Sequence, residues 1–314
     1  MKLAELINTY VTFKRSMGMR FHSEDCLLRA FCRAMGEVDA SEVKPEQVLA
    51  FIAGKGPVTA FWNLKFKVLR SFYRFAVSRG FTATCPLPAN LPKFPPPFEP
   101  YIYSTEELRR LLAATDGLQA PESPLQALTF RTLLLLLYGT AMRIGEALSL
   151  TLHDVDLSNG LVTVRDAKFF KTRLVPMGPK LIKEIATYAS KRRQLPLPHG
   201  DASSFFATRT GNPLVYENAI TLFQRARRQA NIKRESSASY PPRLHDIRHT
   251  AAVHRLIAWY KAGADVQRLL PQLATYLGHK DLASTQHYLS MTSELLHEAS
   301  ERFEWYAQPE IRHE

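Results

Sequence analysis

The sequence predicts a mainly α protein in two parts, a helical N-terminal domain and a mixed α+β domain with a small antiparallel sheet. Apolar residues recur at helical spacing along most of its 314 residues. Residues 85–100, CPLPANLPKFPPPFEP, crowd prolines that exclude a helix interior and favour an extended connection. Two short runs, LVTVR at 161–165 and RLVPM at 173–177, alternate as paired strands do. The proline segment is the best boundary, so the expected organisation is a domain at 1–84, a linker at 85–100 and a domain at 101–314.

In the first domain, Leu3, Leu6, Ile7, Tyr10 and Val11 mark one helix, and Leu27, Leu28 and Phe31 mark a second after a turn near Ser16–His22. Ser41, Glu42 and Pro45 open a third that runs through Phe51, and GKGP at 54–57 breaks the pattern. Residues 58–79 form a fourth helix with Leu64, Val68, Leu69, Phe72 and Phe75/Ala76 as its stripe. Lys65, Lys67, Arg70 and Arg74 lie mostly off that stripe. Such a basic face is either solvated or set against a phosphate backbone.

In the second domain, Ser104 or Thr105 caps a helix whose first turn holds Glu106 and Glu107. The run TLLLLLYGTAM, 132–142, falls well short of the ~20 apolar residues that span a bilayer and reads as a buried helix. The two strands follow, with DAKFFKT as their hairpin connection. Helices are expected near 179–193, 217–230, 245–260, 265–277, 281–289 and 292–306. The last places Leu295, Ala299, Phe303 and Tyr306 along one face, which packs on its own domain or on a neighbouring protomer.

Composition narrows the class. The chain is 46% hydrophobic and 22% charged, enough to bury a core. Its net charge of +12 favours a polyanionic partner, nucleic acid or an acidic membrane surface. Residues 1–100 hold 14 Lys and Arg against 8 Asp and Glu, and the remainder 27 against 21, so each part carries +6. Both parts can therefore face one polyanion, as in a protein that grips DNA from two sides. The start, MKLAELINTYVTFKR, shows no apolar run of signal-peptide length. Three cysteines without CxxC spacing argue against a disulfide framework or a thiolate zinc site and fit a reducing cytoplasm.

Four stretches carry chemistry. In PPRLHDIRHTAAVHRL, 241–256, His245 and Arg248 sit three apart on a helix. In YGTAMRIGEALSL, 138–150, Arg143 starts a helix near the core and needs an anion, either Glu146 or a bound phosphate. The hairpin holds Lys168 and Lys171, although a lysine at a turn is ordinarily exposed. YLGHKDLASTQHYL, 276–289, holds His279 and Tyr288. No HExxH and no magnesium-type carboxylate cluster is present. His245 and His249 are spaced to share a zinc ion, but neighbouring arginines oppose a cation, so no metal or other cofactor is expected. Two guanidiniums to hold non-bridging oxygens, a tyrosine nucleophile, a base, and a lysine or histidine acid make up the set for metal-free phosphodiester cleavage.

The order of Arg143 in GTAMRIGE, Lys168 before RLVP, HDIRH, LGH, and Tyr288 nine residues after His279 resembles the tyrosine recombinases of the phage-integrase or Xer type. The likeness covers about residues 101–290, and more loosely the N-terminal helices. It implies a DNA breaking-rejoining fold with a core-binding domain before the catalytic one. It implies that Arg143 and Arg248 clamp the scissile phosphate and that Lys168 protonates the leaving 5′ oxygen. His245 would be general base or hydrogen-bond partner of the tyrosine. His279 would hold a phosphate oxygen, Tyr288 would attack to give a 3′-phosphotyrosyl link, and Glu146 would support the site. Further contacts to DNA would come from Lys65, Lys67, Arg70, Arg74, Lys171, Arg173, Arg225, Arg228 and Arg243. The resemblance also implies double-stranded DNA as partner, a homo-tetramer on synapsed DNA from free monomers or dimers, room for accessory recombinases, and a bacterial-type, nucleoid-associated cytoplasmic location. It extends to a transposon-associated branch, with integration, excision or transposition of mobile DNA as the event. DAKFFKT departs from the family's Gly-Lys-Gly type of turn, which leaves Lys171 as the alternative acid. Rival readings are a type IB topoisomerase, a silent DNA-binding regulator of the same fold and a metal-dependent nuclease.

Overall fold

The computed structural model describes residues 1–94, 99–167, 171–234, 240–279, 281–290 and 293–307. They divide into two compact units, with the change falling between residues 94 and 99. Among the described residues no helix is long and apolar enough to cross a membrane.

The first unit consists of α1 (Leu3–Ser16), α2 (His22–Met35), α3 (Pro45–Ala53) and α4 (Ala60–Ser78). Pro45 opens α3, where its missing N–H costs no helix hydrogen bond. The Thr59 hydroxyl accepts the Trp62 N–H and starts α4. Leu6, Tyr10, Leu28, Phe31, Ile52, Leu69 and Phe72 meet in one core. The face that α4 buries keeps Val68, Leu69, Phe72 and Ala76 of the expected stripe and departs from it at Leu64. Trp62, Phe66 and Tyr73 are buried with Val68, Leu69, Phe72 and Ala76, whereas Leu64 is 46% exposed. The aromatic rings offer more apolar area than Leu64, so burying them is worth more. Leu87 and Phe94, from the proline-rich segment, also pack against this core.

The second unit begins with α5 (Thr105–Ala113), capped reciprocally by Ser104 and Glu107. A 3-10 turn, Ala114–Leu118, leads to α6 (Gln126–Thr140), where Leu133, Leu134, Leu136 and Leu137 are all buried. The short α7 (Ile144–Leu148) precedes a 3-10 turn, Leu152–Asp154. Strands β1 (Val155–Asp156), β2 (Leu161–Ala167) and β3 (Lys171–Pro176) form an antiparallel sheet in that order. Val162 pairs with Val175, and both face the core with Val164. The two-residue β1 is too short to show alternation, and the sequence did not suggest it. Helices α8 (Pro179–Arg193), α9 (Tyr216–Gln229), α10 (Asp246–Lys261) and α11 (Val266–Leu277) follow. Then come α12 (Ala283–Gln286), a 3-10 turn at His287–Ser290, and α13 (Ser293–Ala307).

Helix α10 joins the unit's two cores. Leu244, just before it, and Ile247 belong to the larger core of α5, α6, the sheet, α8 and α9. Val253, Leu256 and Ile257 belong to a smaller one with Val266, Leu270, Leu277, Tyr288 and Leu295. Helix α13 packs against α10 of its own chain through buried Leu295. The Lys261 ammonium adds ion pairs to Glu294 at 2.9 Å and Glu298 at 3.5 Å. Of the face expected for α13, Leu295 is buried within the chain, whereas Phe303 is 75% exposed on it.

Candidate active site

The start of α10 is held from several directions. Asp246 is buried and accepts from the Arg243 backbone N–H at 2.8 Å and from its guanidinium at 3.0 Å. The Tyr103 hydroxyl donates to the Arg243 carbonyl, and the Tyr103 N–H donates to the Thr250 hydroxyl. Arg248 therefore leaves a fixed helix turn. Its side chain is buried, with the residue 4% exposed. It donates to the Ala141 carbonyl at 2.6 Å and to the Leu277 carbonyl at 2.7 Å. These carbonyls stand at the C-terminal ends of α6 and α11, so one cation caps two negative helix ends.

Arg143 caps α7 and reaches the same place from the other side. Its guanidinium donates to Glu146 at 2.8 Å and to the Gly278 carbonyl at 3.2 Å. Glu146 also accepts the Arg143 backbone N–H at 2.9 Å. Arg173 on β3 donates to both Glu146 oxygens, at 3.1 and 2.7 Å. Burial opposes the charge on Glu146, but the hydrogen bonds and charges of Arg173 and Arg143 prevail and lower its pKa to about 2. The carboxylate thus locks Arg143 in place. Gly278 is required here twice over: its φ is +69°, and a Cβ would lie 2.9 Å from an Arg173 nitrogen.

The three histidines of the site and Tyr288 complete it. Tyr288 lies on the 3-10 turn before α13 and is 3% exposed. The His279 ring stacks on the phenol with centroids 6.0 Å apart, and its Nδ1 pairs with the buried Thr285 hydroxyl at 2.7 Å. The His249 ring lies 5.6 Å from the phenol and 5.2 Å from the His245 ring. Burial raises the pKa of Tyr288, while the Arg248 and Arg143 charges pull it down. Burial, followed by neighbouring cations, lowers His245 and takes His279 to about 4. Arg248 itself falls to about 10, through burial and the Arg143 charge, and stays protonated at neutral pH. The site presents fixed guanidinium charge, neutral imidazoles and a neutral phenol.

The structure thus brings together Arg143, Glu146, His245, Arg248, His279 and Tyr288. Lys168 lies outside the described residues, and Lys171 opens β3. Of the expected surface contacts, Lys67, Arg70 and Arg74 are exposed on α4, and Arg225 and Arg228 on α9. Lys65 instead donates to the Phe51 carbonyl at 2.7 Å and lies over the Phe51 and Phe61 rings. Arg243 is spent partly on Asp246, and Arg173 on Glu146. Sequence reasoning misses Arg173 as the second partner of Glu146, Thr285 as partner of His279, and the place of His249. The HDIRH motif displays that second histidine, but its spacing suggests only a metal ligand. Among the described residues no group of three His, Cys, Asp or Glu side chains is placed to hold a metal ion.

The model of the phage integrase family matches residues 103–294, more than half of the chain. The chain belongs to that family. This tyrosine-type site-specific recombinase is 32% identical over 305 residues to an integrase/recombinase of Sinorhizobium fredii, covering 96% of each chain. It is 32% identical to the tyrosine recombinase XerC of Oceanobacillus iheyensis over 238 residues, 75% of this recombinase and 71% of XerC. Its fold resembles that of the Tn1549 transposon integrase in complex with a circular intermediate DNA, at 17% identity and a TM-score of 0.70. That match covers 96% of this chain and 99% of the other. A lambda integrase dimer bound to a COC′ core site gives a TM-score of 0.65 at 17% identity, covering 93% and 97%.

Proposed function

We propose that the recombinase cuts and rejoins double-stranded DNA through a covalent bond between Tyr288 and a 3′ phosphate, without a metal ion. The observation that carries this reading is the meeting of Arg143 and Arg248 beside a buried phenol, with neutral histidines around it. The two guanidiniums hold the non-bridging oxygens and stabilise the charge that grows on them. His279, fixed by Thr285, donates to one of those oxygens. The Tyr288 oxygen bonds to phosphorus as the bond to the 5′ oxygen breaks. The phenol proton passes to a neutral histidine, for which His245 is the sequence's candidate, and the 5′ oxygen takes a proton from Lys168 or Lys171. Glu146 keeps Arg143 in register throughout.

The phosphotyrosyl bond replaces one phosphodiester by another, so a 5′ hydroxyl from a second strand can reverse the step without ATP. Two such exchanges pass through a Holliday junction in a tetramer. The structural neighbours include a lambda integrase tetramer bound to a Holliday junction, which supports this order of events at the level of the fold. Integration, excision or transposition of mobile DNA is the event proposed, with accessory recombinases where the partner site requires them. The first domain supplies phosphate contacts from α4, and Arg225, Arg228 and Arg243 supply others.

The test uses nicked duplexes tiled across the DNA flanking the protein's own gene, with EDTA present. An SDS-resistant protein–DNA adduct is expected on a subset of them. Specific binding with no adduct on any nicked duplex would turn the reading toward a silent regulator. An adduct that EDTA suppresses would refute the metal-free step. The DNA interface has a separate readout. Replacing Arg70 and Arg74 by Ala should reduce the slope of log affinity against log salt by roughly 0.9 for each phosphate that is no longer neutralised. An unchanged slope would remove α4 from the interface.

A further inference from the structure

His249 has no part in the scheme above, yet its ring lies between His245 and Tyr288, 5.2 Å from one and 5.6 Å from the other. The phenol and the imidazole planes are tilted by 54°, and the two imidazoles meet edge to face at 80°. Among the described residues its Nδ1 is buried and has no hydrogen-bond partner. Packing alone does not explain a histidine here. A phenylalanine would fill the same space and leave no buried nitrogen unpaired. His249 and His279 both lay a ring against the phenol, and His279 has already committed its Nδ1 to Thr285.

We infer that His249 is a further catalytic residue, whose Nδ1 accepts the hydrogen bond of the Tyr288 hydroxyl once DNA is bound and, during the attack, its proton. The inference rests on the reading of Tyr288 as the nucleophile. The atoms balance: the phenol oxygen bonds to phosphorus, its proton moves to Nδ1, and the bond to the 5′ oxygen breaks with a proton from the lysine. Accepting the hydroxyl proton also turns an oxygen lone pair toward phosphorus, which is the geometry in-line attack needs. In the free protein, burial and then the His245 and Arg248 charges lower the pKa of His249 to about 3, so the ring is neutral and able to accept. An arriving phosphate offsets the guanidinium charges and makes the ring a better base.

The experiment compares His249→Phe and His249→Asn with the parental protein on one cleavable nicked duplex at saturating concentration. For His249→Phe we expect parental DNA affinity, a Tm at or above the parental value, and adduct formation slowed by about 100-fold or more. Asn can place an amide oxygen near the position of Nδ1, so His249→Asn should lose less rate. A second substrate carries sulfur in place of the bridging 5′ oxygen, a leaving group that needs no acid. The His249→Phe defect should persist on it, because the loss lies on the nucleophile side. Parental-rate adduct formation by His249→Phe overturns the inference, as does rescue by the sulfur substrate. No adduct from the parental protein overturns the reading of the site and this inference with it.

Discussion

Tyr288→Phe is expected to form no covalent adduct and no recombinant product, with Tm and DNA affinity at their parental values. Tyr288 is 3% exposed and belongs to the core of Val253, Leu256, Leu277 and Leu295. Phenylalanine keeps that ring and its packing against His249 and His279. Only the oxygen that would carry the phosphate is removed. Burial keeps the phenol protonated at rest, so its reactivity depends on the arriving phosphate, the guanidiniums and an acceptor for the proton. The Thr285 hydroxyl is already engaged with His279 and is a poor replacement. Denaturing gels for the adduct, thermal melting and a DNA titration check the three parts. An adduct that survives the substitution would place the nucleophile elsewhere.

Arg248→Ala is expected to damage both stability and chemistry, and Arg248→Lys to separate the two. The guanidinium satisfies the Ala141 and Leu277 carbonyls at the ends of α6 and α11. Removing it leaves both without that partner in a buried place, at a cost of about 1–3 kcal/mol each. Removing a positively charged donor from the transition state costs a further factor of about 10²–10³ in rate. Lysine retains the charge and can satisfy one carbonyl, but it cannot reach two carbonyls and a phosphate in one plane. Arg248→Lys should therefore keep most of the stability and lose at least about tenfold in adduct rate. Urea melts read the first effect, and single-turnover adduct formation reads the second. A lysine variant with parental rate would show that the positive charge alone, without the planar guanidinium fork, suffices for the chemistry.

Much of this site was legible because its parts are local. HDIRH puts a histidine and an arginine on adjoining turns, GTAMRIGE puts Arg143 three residues before its carboxylate, and LGH ends a helix with a glycine in the left-handed region. These relations need only helical geometry and capping chemistry. Relations between distant segments were not legible. Arg173 reaches Glu146 across 27 positions, and Arg248 reaches Ala141 across 107. Nothing in the RLVP pattern says that its arginine turns toward a carboxylate. His249 was visible as a residue but not as a neighbour of Tyr288, because the packing of α10 against the 3-10 turn at His287–Ser290 brings the two rings together. In α4 the periodic stripe holds at Val68, Leu69, Phe72 and Ala76, but the buried face is rotated toward Trp62, Phe66 and Tyr73 and leaves Leu64 outside, which period alone does not decide.

The sequence by itself determined the helical class, the paired strands, the family and the types of group proposed for the chemistry. Each is written in short-range spacing and residue type, which the chain expresses before it folds. Only the tertiary structure decided which groups share the site. It made Arg248 a cap on two helices, Arg173 a brace for Glu146, and His249 one of two imidazoles against the phenol. Those partnerships depend on how α6, α10 and α11 and strand β3 converge, and that convergence is set by the burial of the two cores α10 joins.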